Sequence, residues 1–100
     1  MENAIFVPTH ELQFEARILP MFWQAGQVMN LSCNNQMSSA KYDGGDGFMD
    51  IFCYNTNYQI IIELKTYSGT AVNALIQARN YRGRNLPTIY FGISRFYGIY

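Results

Sequence analysis

Two acids and an amine stand where ordinary packing would not put them. In the stretch GFMDIFCYNTNYQIIIELKTY, the run Ile60-Ile61-Ile62 reads as a buried strand. Glu63 and Lys65 close it, and Asp50 lies upstream. Burying a carboxylate and an ammonium at the end of such a run is costly unless something compensates. A hard divalent cation held by carboxylate oxygens would do so. Such a cation also acidifies a bound water and polarises a phosphodiester, and a lysine alongside can orient that water or offset charge on the pentavalent phosphorus. Asp50, Glu63 and Lys65 are therefore the candidate catalytic residues, with Asp50 and Glu63 as candidate metal ligands.

Three elements must position them. Side chains alternate faces along a strand, so Glu63 and Lys65 share a face and Leu64 takes the other. Phe48 to Tyr54 and Tyr58 to Thr66 read as two strands of a hairpin joined at Asn55-Thr56-Asn57. A two-residue loop at Thr56-Asn57 pairs Asn55 with Tyr58, so that paired numbers sum to 113. Asp50 then lies opposite Glu63, with Cβ atoms about 5 Å apart. A four-residue loop keeps that sum, whereas an odd loop without a bulge turns Asp50 to the wrong face. Glu-x-Lys alone is uninformative, because it recurs at exposed strand ends as an ion pair. The upstream Asp, the isoleucine run and the helix that follows give it meaning.

The rest of the chain reads as helix, strand, strand, strand, helix, strand. Thr9 is a plausible N-cap for a first helix to about Gln24, with Leu12, Ala16, Leu19 and Trp23 on one side and Phe14, Ile18 and Phe22 nearby. Pro20 is expected to kink this helix or end its first part, and Gly26 to stop it. Gln27 to Ser32 alternates and reads as an edge-like strand, and Asn34 to Gly47 as a polar loop whose Asp43 and Asp46 belong to turn chemistry. Ser68-Gly69-Thr70 caps a second helix from Ala71 to about Tyr81, with Val72, Leu75, Ile76 and Arg79 on one face and Gly83 as its end. Pro87 precedes a last strand, Thr88 to Ser94, which can pair in parallel with the third strand across the helix. Phe96 to Tyr100 either continues the sheet or begins another element.

One hundred residues make one domain, about half apolar and only 14% charged, which excludes a disordered chain. No apolar run nears the roughly 20 residues that span a bilayer, and the N-terminus lacks the marks of a signal peptide, so a cytoplasmic setting without membrane contact is expected. One histidine and two isolated cysteines, Cys33 and Cys53, do not make a zinc site, and the cysteines are expected to be reduced and packed. Net charge is zero, but residues 1–50 carry six acids and two bases and residues 51–100 one acid and five bases, so the halves are −4 and +4. Arg79, Arg82 and Arg84 are the obvious phosphate-facing cluster, or else a solvated helix end where cations suit the dipole.

This arrangement resembles the PD-(D/E)XK nuclease superfamily, whose motif is an Asp on the second core strand and (Asp/Glu)-x-Lys on the third. The motif here is Asp50, then Glu63-Leu64-Lys65, with Met49 where the usual proline stands. Within the superfamily it is similar to the group often found C-terminal to AAA-ATPase-like domains. The residues that carry the likeness are Gly47-Phe48-Met49-Asp50-Ile51, Ile61-Ile62-Glu63-Leu64-Lys65, Ala74-Leu75-Ile76-Gln77-Ala78 and Phe91-Gly92-Ile93, spread over about residues 9 to 96. Phe48-Met49 replaces the Gly-Arg frequent before that group's Asp, so a phosphate-binding arginine is absent there.

The resemblance implies a restriction-endonuclease-like α/β fold: an αβββαβ core with a mixed four-stranded sheet flanked by two helices. It implies a Mg²⁺- or Mn²⁺-dependent nuclease acting on DNA more than RNA, as a homodimer or within a longer chain. The Leu64 carbonyl would be a further metal ligand, and so would Glu11, with Glu15 one turn on as its alternative; the plain reading of either acid is a solvated first turn. Gln77 and Arg79 would lie beside the substrate with Arg82 and Arg84, and Tyr81 would pack. The alternative is a catalytically inactive nuclease-fold module that binds a protein or nucleic-acid partner.

Overall fold

The computed structural model describes residues 11–66, 70–94 and 98–99. Helix α1 (Glu11–Met29) leads into strands β1 (Ser32–Ala40), β2 (Asp46–Tyr54) and β3 (Gln59–Lys65). Helix α2 (Ala71–Ala78), strand β4 (Thr88–Ser94) and the short strand β5 (Gly98–Ile99) follow. The strands form one mixed sheet in the order β1-β2-β3-β4-β5. β1, β2 and β3 are antiparallel neighbours, β3 and β4 run parallel across α2, and β5 adds a two-residue antiparallel edge. The expected helix-strand order and mixed sheet are thus present, with a fifth strand from the segment whose role the sequence left open.

α1 covers one face of the sheet, where Ile51, Cys53, Ile60, Ile62, Leu64 and Ile93 are buried with Phe14 and packed by Ile18, Leu19 and Phe22. The second face buries Phe52, Ile61 and Met49 against Ala78 and Tyr81. β3 is apolar on both faces, as a central strand covered by helices must be.

Several boundaries differ from expectation. α1 runs through Pro20 and Gly26 to Met29, so Gln27, Val28 and Met29 are its last turn and no strand begins at Gln27. The stop is Asn30, in the left-handed region at φ 58°, and the Leu31 N–H reaches back to the Gly26 carbonyl at 2.7 Å. That six-to-one bond is the Schellman closure, here formed with asparagine. Gly26 serves packing, because a Cβ there would lie 2.8 Å from the Leu31 carbonyl oxygen and 3.2 Å from Cys33 Sγ. Trp23 and Ala16 face solvent, and the buried stripe runs instead through Phe14, Ile18, Leu19 and Phe22.

The expected loop from Asn34 is mostly β1, and only the Lys41–Gly45 turn remains of it. β1 is polar on an exposed edge, so it carries no hydrophobic alternation to read. Its placement brings Cys33 opposite Cys53, where the two form a disulfide rather than the expected free thiols. α2 ends at Ala78, short of the expected Tyr81, and buries Ala71, Ala74 and Ala78, leaving Val72 and Ile76 exposed. Gly92 on β4 explains this, since a Cβ there would overlap the backbone of Ala71, Ala74 and Leu75. The helix lies so close to the strand that only small side chains fit between. Thr70 caps α2 as expected, its Oγ1 accepting the Asn73 N–H at 3.1 Å, while Tyr67, Ser68 and Gly69 lie outside the described residues.

Candidate active site

The turn that sets the register closes as expected. The Asn55 N–H donates to the Tyr58 carbonyl at 3.0 Å, and Asn55 Oδ1 accepts the N–H groups of Asn57 and Tyr58. Asparagine suits this position because its side chain mimics a backbone turn. Pairing then runs through Tyr54↔Gln59 to Ile51↔Ile62, and the next positions along are Asp50 and Glu63. Backbone pairing stops there, and side chains take over. The Leu64 N–H donates to Asp50 Oδ2 at 2.8 Å, and the Asp50 N–H donates to Glu63 Oε1 at 3.3 Å.

A bend in the neighbouring hairpin aims Asp50. β1 and β2 pair in one register on either side of Gln36, which leaves the ladder in the left-handed region at φ 51°. β2 breaks its own alternation at the same level: Ile51 faces α1, yet Met49 lies with Phe52 and Ile61 on the opposite face. Beyond the bend the hairpin leans on the chain after α2. The Tyr42 N–H meets the Asn80 carbonyl at 2.8 Å and the Arg82 N–H meets the Ala40 carbonyl at 2.9 Å. Tyr81 Oη donates to the Phe48 carbonyl at 3.0 Å.

Gln36 joins this bend to α1. Its Nε2 donates to Glu15 Oε2 at 2.6 Å and to Asp50 Oδ1 at 3.3 Å. Asn35 Nδ2 donates to Glu15 Oε1 at 2.8 Å, so both oxygens of this buried acid are satisfied. Of the two acids offered for the first helix, Glu15 is thus connected to the centre, and the Glu11 side chain lies outside the described residues. Asn35 and Gln36 went unnoticed in the sequence, because nothing marked their segment as a strand.

Glu63 is buried, and its pKa is pushed up to about 8, first by burial and then by the Asp50 charge, with Lys65 pulling it partly back. Tyr81 is raised as well, by burial and then by the negative charges of Glu63 and Asp50. Two carboxyls this close cannot both ionise comfortably. Either a proton or a cation must sit with them. The donors are all oxygen, as Mg²⁺ or Mn²⁺ requires. Among the described residues no group of three or more His, Cys, Asp or Glu side chains gathers, so any remaining positions would fall to waters or to a carbonyl such as that of Leu64.

The four proposed substrate contacts are all exposed. Gln77 and Arg79 are exposed and line a shallow depression with Asp43, Ile76 and Asn80. The Arg82 guanidinium lies 4.5 Å from the centre of the Tyr42 ring, and that of Arg84 lies 3.8 Å from the centre of Tyr54. No protein-family profile matches the chain, and no curated protein or solved structure is similar to it.

Proposed function

We propose that this chain is a Mg²⁺- or Mn²⁺-dependent nuclease of restriction-endonuclease-like fold, hydrolysing phosphodiesters in DNA rather than RNA. The observation that carries the reading is the meeting of Asp50 and Glu63 where β2 and β3 stop pairing, with Lys65 on the Glu63 face. Asp50 and Glu63 hold the cation, which supplies Lewis-acid polarisation and a more acidic water. The Leu64 N–H fixes the Asp50 carboxylate, and Gln36 holds its other oxygen toward α1. Lys65 orients the attacking water and offsets charge on the scissile phosphate. Gln77, Arg79, Arg82 and Arg84 supply substrate contacts. A cytoplasmic setting belongs to the same proposal, although the Cys33–Cys53 bond weighs against a strongly reducing one.

The test is cleavage of plasmid DNA with Mg²⁺ or Mn²⁺. Lys65→Ala is expected to lower the rate by about 100-fold or more, the scale of a positioned acid-base or electrostatic group. An unchanged rate would reject the role given to Lys65.

A second reading keeps the fold as a binding module without chemistry. What favours it is that both Asp50 oxygens already accept protein N–H groups. Calorimetric titration with Mn²⁺ separates the two. The nuclease gives heat that Asp50→Ala abolishes, and the binding module gives none.

A further inference from the structure

Gln59 is the first residue of β3 and is fully buried. A buried carboxamide is costly unless every polar atom is matched. Gln59 is matched by the arginine loop and the start of β4. Its Nε2 donates to the Arg82 carbonyl at 3.3 Å, the Arg84 carbonyl at 2.8 Å and Thr88 Oγ1 at 2.7 Å, and its Oε1 accepts the Arg84 N–H at 2.7 Å. Between the arginines, Gly83 sits at φ 59° and donates its N–H to Ser39 Oγ at 2.8 Å. Any Cβ at Gly83 would run into the Gln59 amide. The Arg82-Gly83-Arg84 loop is therefore held from beneath in one conformation.

The loop presents two guanidiniums, each lying over a tyrosine ring. Arg84 covers Tyr54, and Tyr54 stacks at 5.3 Å on the buried ring of Phe52, so this stack is rooted in the core. Arg82 covers Tyr42. Among the described residues neither guanidinium has a carboxylate partner. Stacking fixes one face of each and leaves the N–H edges free for an anion. Beside Arg84 and Tyr54 opens a wide-mouthed cavity of about 540 Å³, lined also by Asn30, Ser32, Asn55, Thr56, Asn85 and Leu86. No acidic side chain lines it. Carboxamides both donate and accept, as the edge of a nucleobase requires.

We propose that this loop and cavity bind single-stranded nucleic acid, with Arg82 and Arg84 on backbone phosphates and one unstacked base in the cavity. As a statement about substrate this rests on the nuclease reading; as a binding site it stands without it. A duplex keeps its bases stacked and cannot fill the cavity, whereas a single strand can. An acidic peptide would meet the arginines but leave the carboxamides of Asn30 and Asn85 unmatched.

The test is fluorescence anisotropy of a labelled 12-nucleotide single strand and the matching duplex, with the full chain, in EDTA. The single strand is expected to bind at least tenfold tighter than the duplex. Two phosphate contacts predict a log–log salt slope of about −1.4. Arg82→Ala or Arg84→Ala should reduce that slope by about 0.7 and weaken binding about tenfold, with the melting temperature unchanged. Arg84→Lys should keep the slope yet bind more weakly, because an ammonium lacks the guanidinium's fork of N–H donors. Equal or tighter duplex binding, polyglutamate binding as tightly as the strand, or an undiminished Arg82→Ala/Arg84→Ala double variant would each overturn the proposal. Intact single-strand binding by a chain that cleaves nothing would sink the nuclease reading alone.

Discussion

At the scale of single residues, Glu63 carries the sharpest conflict. Its pKa lies near 8 because burial and Asp50 both oppose its charge. Between the ordinary value of 4.5 and about 8, the folded chain holds a proton that the unfolded chain has released. Folding stability is therefore fully present below the ordinary value and falls as pH rises through that window. A thermal melting series from about pH 5 to about pH 9 should show this decline. Glu63→Gln should flatten it, and Mn²⁺ should oppose it on the alkaline side in the parent chain. The same slope in Glu63→Gln would mean that another group is responsible. Gln36 gives a second expectation at this scale. Its amide serves Glu15 and Asp50 together, so Gln36→Leu should weaken Mn²⁺ binding by about 10–100-fold, the usual cost of removing a group that orients a ligand. A titration indistinguishable from that of the parent chain would remove Gln36 from the site. The Asp50–Glu63 meeting was legible in the sequence, because register in a tight hairpin is arithmetic once the turn is known. The Gln36 bridge was not, since no pattern in SCNNQMSSA announces a strand or a left-handed residue within it.

Among elements, the contact of α2 with β4 leaves the least room. Gly92 faces Ala71 and Ala74 so closely that any side chain must push the helix away. Gly92→Ala should cost about 1–3 kcal/mol or more, as overpacking does, in urea denaturation. A neutral result would mean that the helix slides without penalty. Periodicity grouped Val72, Leu75, Ile76 and Arg79 on one face but did not mark the small Ala71, Ala74 and Ala78 as the packed one. The close approach selected them, and a lone glycine in Phe91-Gly92-Ile93 was the one hint of it. α1 ran five residues past its expected end, Gln24, to Met29 for a local reason: asparagine at Asn30 accepts the left-handed backbone that the sequence reading had reserved for Gly26.

For the molecule as a whole, the helix-strand order could be read from the chain, but the covalent link could not. Cys33 and Cys53 are 20 residues apart, and only the β1–β2 register shows them to be cross-strand neighbours. Replacing both by alanine should lower stability by about 3 kcal/mol, the chain-entropy value for a loop of this length. Guanidinium denaturation checks this, and reductant added to the parent chain should reproduce the loss. A parent chain indifferent to reductant would show that the bond contributes nothing. The same measurement bears on where the molecule works, because a strongly reducing compartment would leave the link open. Among the described residues no helix is long and apolar enough to cross a membrane.

Gln59 has a spectroscopic consequence. Its side-chain amide protons are sealed from water and shared between the strand and the arginine loop. Their resonances should exchange slowly with solvent and stand apart from the other carboxamides in a nitrogen-correlated spectrum. Any molecule that settles on the loop should move that one pair of peaks, giving a reporter of occupancy that needs neither label nor turnover.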